Sequence, residues 1–329
     1  MVSIITKIYN LIYISLKTFG VFHGVRKIFI TSVYKRLSDP VMADHVYAKS
    51  SYRYLDKFYK KYSTSEFAFN RPVAGDSGIG ENEFIYWTCW LQGMETAPAI
   101  VKACINSVKK MNTSKRVIVI TYKNLDTYIS LPEFILEKHK QGYISAAHFT
   151  DILRTYLLYI YGGVWFDASV FFTGEIPPEL LREPVFFFRS PFDDICPVSN
   201  WFIIAGKRDN FLLLRQLCAL CEYWRVKDAL IDYFIYHYFL RALILHDEQC
   251  AKIFNNMIYQ NNQNPHYLQK ELLFSEFDAE KWEKVQNVSF CHKLTWKPPQ
   301  GGIAGNLFFQ YIAGLSSFEP MQDKTLKKI

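Results

Sequence analysis

The sequence predicts an α/β fold, a mostly parallel sheet flanked by helices, with a basic helical arm in front of it. From about residue 84 onward, short apolar runs that suit strands alternate with segments of helical periodicity. This alternation is typical of parallel sheets with helical crossovers. Half of the 329 residues are hydrophobic and 21% are charged, so the chain can bury a large core and is not expected to be disordered.

Each element of the α/β region is predicted from its apolar pattern and from the turn residues that bound it. The clearest is a helix whose apolar side chains recur at helical spacing until Gly162-Gly163 ends it. The predicted elements are, in order, a strand at Phe84–Leu91, a helix from Pro98 to Met111, a strand at Arg116–Thr121, a turn and helix at Asp126–Gln141, a helix at Ala146–Tyr161, a strand at Val164–Phe172, short strands at Val185–Arg189 and Trp201–Ala205, and mostly helix over Asn210–Cys250.

Residues 1–80 are the predicted arm and linker, residues 81–310 the main domain and residues 311–329 a tail. The first boundary follows from the turn-forming residues that dominate Asn70–Gly80. The arm's longest uncharged apolar run, Ile8–Leu16, is far shorter than the roughly 20 residues of a spanning helix. Two interpretations stay open: an amphipathic segment on an anionic membrane surface, or a helix packed on its own domain.

The distribution of charge argues against nucleic acid as a partner. The net charge is +7. The first 38 residues supply +6 of it and contain no acid, so the rest of the chain contributes only +1 and shows no nucleic-acid-binding motif. Seven cysteines, mostly inside apolar runs, predict reduced thiols in a cytosolic setting. The cations of the arm are Lys7, Lys17, Arg26, Lys27, Lys35 and Arg36.

The chemically informative segment runs from Ser145 to Ser169. Asp151 and Arg154 are three residues apart, so they share one face of the predicted helix. The strand that follows Gly-Gly ends near Asp167, and in open α/β sheets the carboxyl ends of strands border the ligand crevice. A local salt bridge on the helix is the alternative for the first two residues. The combination instead predicts a site in which one guanidinium and two carboxylates reach one ligand.

This segment, HFTDILRTYLLYIYGGVWFDASVF, resembles the sugar-binding region of family-32-type glycosyltransferases and, more closely, of the bacterial capsular polysaccharide synthesis proteins. The shared pattern is Ser/His-x-x-Asp-x-x-Arg, an aromatic helix end, Gly-Gly and an Asp-led strand. Large clostridial glucosylating toxins are similar in the same block. The resemblance extends from about Phe84 to Lys297 and includes the segments IYWTCWLQG, SNWFI, DYFIYH and HKLTWK.

The resemblance implies a GT-A fold, a Rossmann-like domain that binds nucleotide diphosphate sugars. Asp151 and Arg154 would then contact the donor sugar, and Asp167 the ribose, the sugar or a metal. Trp87 would fall where an aromatic ring stacks on the base. The implied reaction is retaining transfer of a hexose, with UDP-galactose or UDP-glucose as leading donors. A lipid-linked saccharide in bacterial capsule synthesis would be the acceptor, and the enzyme would sit peripherally on the cytoplasmic face of the plasma membrane.

One departure from the family motif concerns metal. Asp-x-Asp is common in the family, whereas this chain has Ser169 at the second position, and a hydroxyl binds cations more weakly than a carboxylate. The segment HKLTWK is similar to the late His and Lys of other GT-A enzymes. This resemblance implies a divalent cation, Mn²⁺ or Mg²⁺, held by Asp167, Ser169 and His292, with Lys293 or Lys297 facing the phosphates. A site that works without metal, and a strand histidine with no ligand role, are the alternatives.

A further candidate is Asp232, which stands in an aromatic helical segment. A carboxylate buried among rings needs a firm partner or has a raised pKa, so it is a candidate catalytic group. A structural hydrogen bond to a tyrosine is the alternative. For the chain as a whole, the rival hypothesis is a protein that kept the fold as a sugar-binding scaffold and lost activity, and the substitution at Ser169 is its best argument.

Overall fold

A computed structural model describes residues 19–20, 24–25, 29, 40–72, 77–80, 83–190, 195–298 and 306–315. All six cations of the predicted arm, and most of the predicted tail, lie outside these residues. The membrane interpretation of residues 1–37 therefore stays a prediction, as do the domain boundaries. Among the described residues, no helix is both long and apolar enough to cross a bilayer.

The described elements alternate as the sequence predicts, with helices before, between and after the strands. The helices are α1 (Pro40–Tyr62), α2 (Ala99–Met111), α3 (Leu125–Tyr128), α4 (Glu133–Lys140), α5 (Ala146–Tyr161), α6 (Pro178–Leu181), α7 (Phe211–Val226), α8 (Ile235–His246), α9 (Glu248–Asn256), α10 (Gln263–Tyr267), α11 (Ala279–Val288) and α12 (Phe308–Gly314), with a 3₁₀ turn at Met94–Thr96 and a π-helical turn at Leu268–Leu272. The strands are β1 (Tyr86–Cys89), β2 (Val117–Ile120), β3 (Gly163–Phe166), β4 (Val170–Phe172), β5 (Phe186–Arg189), β6 (Val198–Ala205) and β7 (Cys291–Lys293).

Five strands form the central sheet in the order β2-β1-β3-β6-β5. Strand β1 runs parallel to β2 and β3, whereas β6 is antiparallel to both β3 and β5. The α/β prediction is confirmed, but "mostly parallel" is wrong, because the sheet is mixed. Among the described strands of this sheet, β6 runs against the other four. Its connection from β5 is short, which suits an antiparallel pair and leaves no room for a helical crossover.

Helix α5 begins and ends where its sequence predicts. The Ser145 hydroxyl accepts from the backbone N–H of His148, which caps the first turn. Gly162 and Gly163 follow with φ of 69° and 100°, backbone angles that residues other than glycine rarely adopt. A Cβ at Gly163 would lie 2.1 Å from the carbonyl oxygen of Ile85, so this glycine also permits the close approach of β3 to β1.

The predicted strand Val164–Phe172 is divided by a turn. Strand β3 belongs to the central sheet, whereas β4 pairs antiparallel with β7 in a separate two-stranded sheet. The turn is held by two backbone bonds, from Asp167 N–H to the Trp201 carbonyl at 2.8 Å and from Val170 N–H to the Asp167 carbonyl at 2.9 Å. The break places residues 167–169 at the carboxyl end of β3 and brings a segment from near the C-terminus beside them.

Helix α1 packs on the main domain. Its Tyr52 and Phe58 rings contact Tyr238 and Phe239 of α8, with centroids 6.2 and 6.1 Å apart. These contacts join α1 to the main hydrophobic core. The later part of the predicted arm thus supports α8, whose first turns border the cleft described next.

Candidate active site

A cleft of about 730 Å³ opens at the carboxyl ends of β1 and β3. The start of α5, the turn after β3, the start of α8 and the segment after β7 form its walls. This is the position that the strand pattern predicts for a ligand crevice. Its lining side chains include Cys89, Trp90, Thr150, Asp151, Arg154, Trp165, Asp167, Ser169, Asn200, Tyr233, His237, Gln269, Lys293 and Trp296.

A buried network joins the predicted residues of α5 to the turn after β3. Arg154 Nη1 lies 3.2 Å from Asp151 Oδ1, and Arg154 Nη2 lies 3.1 Å from Asp167 Oδ1. The Arg154 guanidinium also lies over the Trp165 ring, 5.1 Å from its centroid. The structure therefore brings together Asp151, Arg154 and Asp167. Asp151 and Arg154 do form the local salt bridge on the helix, but that salt bridge is also part of the larger network.

Asn200 of β6 completes the helix side of the network. Its side-chain Nδ2 donates to Asp151 Oδ1 at 2.9 Å, and its backbone carbonyl accepts from Arg154 Nη1 at 2.7 Å. His148 lies on the other side of Asp151, with Nδ1 3.5 Å from Oδ2. These contacts hold Asp151 and Arg154 in one arrangement and leave them little freedom to move.

Lys293 binds the turn from the opposite side. Its Nζ lies 2.8 Å from Asp167 Oδ2 and 2.9 Å from Ser169 Oγ. Strand β7 sets this position, because Lys293 is paired with Val170 and the next N–H, that of Leu294, donates to the Ser169 carbonyl. The two positions of the altered motif, Asp167 and Ser169, thus share one ammonium group.

The charges of the network determine the ionisation of Asp167. Burial opposes its charged form, but Lys293 and Arg154 outweigh burial and hold the pKa of this carboxyl below its usual range. Burial likewise opposes the charge of Arg154, yet Asp167 and Asp151 raise its pKa. Two carboxylates and two cations therefore balance at the floor of the cleft.

Aromatic rings form the rim of the cleft. Trp90 and Trp296 meet edge to face with centroids 5.8 Å apart, and Trp296 is 43% exposed. Tyr233 stands at the start of α8 and is 65% exposed. Exposed rings beside a polar floor can stack on bases or on the apolar faces of sugars.

The structure corrects the assignment of Trp87. Its side chain is fully buried and does not line the cleft; its Nε1 donates to the Gly162 carbonyl at 3.0 Å. Trp90, just past the end of the same strand, lines the cleft instead. Alternation along β1 sends neighbouring side chains to opposite faces, and the sequence alone did not show which tryptophan stands at the open end.

The assignment of His292 as a metal ligand is also corrected. His292 is fully buried behind β4, where its Nε2 lies 3.2 Å from Thr173 Oγ1. Burial lowers its pKa to about 4, even though nearby backbone groups favour the charged form. Because neighbouring residues of a strand face opposite ways, Lys293 faces the cleft and His292 the interior.

Two further candidates lie outside the cleft. The Asp232 carboxylate accepts from the backbone N–H of Phe234 at 3.0 Å and so closes the turn before α8; His237, one turn into that helix, lines the cleft. Lys297 is exposed, with its Nζ 5.6 Å from the centroid of the Trp296 ring, and it does not line the cleft. The contact of Asp232 is thus with a backbone turn and not with the cleft, and Lys297 lies beside the exposed ring of Trp296.

The residues at the turn do not suit a divalent cation. Mg²⁺ and Mn²⁺ favour several oxygen ligands, with carboxylates prominent among them. Here one carboxylate and one hydroxyl stand together, and Asp167 already accepts from Arg154, Lys293 and Trp165 Nε1. In the described part of the chain, no group of three or more His, Cys, Asp or Glu side chains is placed to hold a metal.

Sequence reasoning missed three residues that the structure places in the site. Trp90, Trp296 and Tyr233 all line the cleft. Each one stands within a segment that carries the family resemblance, so the signal was present at the level of the segment. These segments did not show which way each side chain points, because that direction depends on strand register.

Comparison with known proteins gives a family. A family model described as "Capsular polysaccharide synthesis protein" matches residues 41–312. Among solved structures, the PaToxG glycosyltransferase is similar over 65% of this chain and 84% of its own, with 13% sequence identity and a TM-score of 0.36. No curated protein sequence matches the chain. The family match includes all of α1 but its first residue, the central sheet and every residue of the network around Arg154.

Proposed function

The chain belongs to the capsular polysaccharide synthesis protein family, and from this premise we propose that it is a glycosyltransferase of GT-A type that uses a nucleotide sugar. The observation that carries the proposal is the network of Asp151, Arg154, Asp167 and Lys293 at the floor of a large cleft. Carboxylates there accept hydrogen bonds from sugar hydroxyls, and the Lys293 ammonium faces an anionic diphosphate.

Each side of the cleft then has a role. Asp151 and Asp167 hold hydroxyls of the donor, and Arg154 is a positioning residue, because its guanidinium is committed to both carboxylates and to the Asn200 carbonyl. The rings of Trp90 and Trp296 suit the base. Tyr233, across the cleft, suits the acceptor sugar because it is the most exposed ring of the rim.

The proposed reaction is a transfer with retention. The bond between the anomeric carbon and the diphosphate oxygen breaks, and its electron pair leaves with the diphosphate. The acceptor hydroxyl oxygen forms the new bond on the same face of the sugar, and its proton passes to the departing phosphate oxygen. Holding both partners in place and stabilising the departing charge are the contributions of the protein.

UDP-galactose and UDP-glucose are the proposed donors, and a lipid-linked saccharide is the proposed acceptor. Such an acceptor keeps its sugar at the bilayer surface, on the cytoplasmic face where nucleotide sugars are made available. Residues 1–37 carry the six cations and many apolar residues, and each cation near an anionic surface contributes roughly 1 kcal/mol. Peripheral binding through this segment is therefore part of the proposal.

The transferase proposal is tested with a panel of nucleotide sugars. We expect the wild-type protein to hydrolyse one of them slowly and to transfer its sugar to a lipid-linked acceptor. Asp167→Asn should lower turnover about a hundredfold or more, because the donor loses its alignment, whereas Asp126→Asn, at an exposed position, should leave turnover unchanged. Binding of a donor without any turnover would instead favour the scaffold hypothesis, to which Ser169 lends support.

The membrane proposal has its own test. Sedimentation with anionic liposomes should carry down the full-length protein at low salt and less of it at high salt, because screening weakens the attraction. A variant that lacks residues 1–37 should stay in the supernatant. Equal sedimentation of both proteins would show that the segment is not the membrane anchor.

A further inference from the structure

We propose that the Lys293 ammonium takes the position and the electrostatic role of a divalent cation, so that the protein binds nucleoside diphosphates without metal. The inference rests on the proposed function, because it concerns the charge that faces the donor's diphosphate. Its basis is geometric: Lys293 Nζ contacts both Asp167 Oδ2 and Ser169 Oγ, at 2.8 and 2.9 Å.

The first argument is the set of contacts around the ammonium. A lysine ammonium has three N–H donors, and Asp167 and Ser169 take two of them. Lys293 lines the cleft with 19% of its side chain exposed. The third donor is therefore available to an oxygen of a bound phosphate, while the first two hold the ammonium in place.

The second argument is the balance of charge. Asp151 and Asp167 carry two negative charges, and Arg154 and Lys293 carry two positive charges within one network. A divalent cation at the same turn would add two more positive charges and would face both Arg154 and Lys293. The carboxylate of that turn, Asp167, is already bound on both oxygens.

The third argument is the identity of residue 169. A hydroxyl can accept from an ammonium and is small enough to let Lys293 reach Asp167, whereas an aspartate there would compete for the same ammonium and add a cation ligand. The altered motif and Lys293 thus fit each other. The serine that weakens a metal site is, in this structure, a ligand of the ammonium.

Binding of UDP, measured by calorimetry on the full-length protein, tests the inference. In excess chelator we expect the wild-type protein to bind UDP with the same affinity as in Mn²⁺. Lys293→Met should weaken UDP binding about tenfold to a hundredfold, the range for a hydrogen bond to a charged group, and Lys293→Arg should recover most of the loss. Lys110→Met removes the same charge from an exposed position and should change nothing.

A double variant reverses the arrangement at the turn. Ser169→Asp combined with Lys293→Ala places two carboxylates at the turn and removes the ammonium. We expect this double variant to bind Mn²⁺, seen in the electron paramagnetic resonance spectrum of the ion, and to require it for UDP binding. The wild-type protein should show neither property.

The outcomes separate the two proposals. If wild-type UDP binding falls more than tenfold in chelator and returns with Mn²⁺, Lys293 does not replace the metal, while the transferase proposal stands. If no nucleoside diphosphate binds with or without Mn²⁺, the donor itself is wrong and both proposals fail. The wild-type comparison needs no substitution, so it remains decisive even if Lys293→Met folds poorly.

Discussion

The two walls of the cleft are built in different ways. One, the helix wall, consists of α5 and β3 with the turn at Asp167. Its charged side chains, the buried Asp151 and Arg154 and the half-buried Asp167, are each bound on several sides. The other, the strand wall, consists of residues 293–296, which begin with the last residue of the three-residue strand β7 and include the exposed ring of Trp296. Removing a buried charge that has several partners destabilises the fold, whereas an exposed ring such as that of Trp296 can be removed with little effect on the fold.

The largest effect is expected at Arg154 on the helix wall. Arg154→Met leaves Asp151 and Asp167 without their shared cation, and breaking a buried ion pair costs about 3–5 kcal/mol. Urea unfolding should show that loss, together with a fall in turnover of about a hundredfold or more. The matched control is Arg116→Met, which breaks an exposed pair with Glu83 worth roughly 0–1 kcal/mol. Equal destabilisation of the two variants would remove the contrast between buried and exposed pairs.

Substitution of one tryptophan near each wall compares the two walls directly. Trp87→Ala removes a fully buried ring beneath the helix wall and should cost about 3–5 kcal/mol of stability. Trp296→Ala removes an exposed ring from the strand wall and should leave stability nearly unchanged, while raising the KM for the donor by roughly threefold to tenfold, the range for one aromatic contact. Thermal unfolding and steady-state kinetics measure the two effects, and the reverse pattern would restore Trp87 to the site.

A third test uses acid and concerns His292 behind the strand wall. Its pKa is about 4 in the folded protein and about 6.5 in an unfolded chain, so the unfolded state binds the extra proton first as pH falls. The contribution of the buried, neutral His292 to the free energy of unfolding is therefore fully present above about pH 6.5 and is lost progressively down to about pH 4. The whole loss is about 3 kcal/mol, from the size of the shift.

The variant His292→Gln isolates this contribution. Its free energy of unfolding should fall less between pH 6.5 and 4 than that of the wild-type protein. His45→Gln, at an exposed position, should behave like the wild-type protein. Parallel pH profiles for all three proteins would mean that burial does not lower the pKa of His292 in the folded protein.

The two walls also differ in how far their sequences predicted them. Helix α5 has the predicted bounds, Ala146–Tyr161, because its cap, its apolar periodicity and the glycines after it are all local signals. Asp151 and Arg154 face one another for the same reason. On the strand wall, Lys293 reaches Asp167 across 126 residues of sequence, and the sequence offered Lys293 and Lys297 as equal candidates.

The sequence by itself determined the α/β class, the helix wall and the family, since these depend on periodicity, glycine positions and short-range spacing. The tertiary structure alone decided that residues 164–172 divide between two sheets, that Trp90 and not Trp87 lines the cleft, and that Lys293 and not His292 meets Asp167. The physical reason is strand register. Neighbouring residues of a strand face opposite sides, and a shift of one residue exchanges them. The register of β4 against β7 is set by packing between distant segments, which no local pattern encodes.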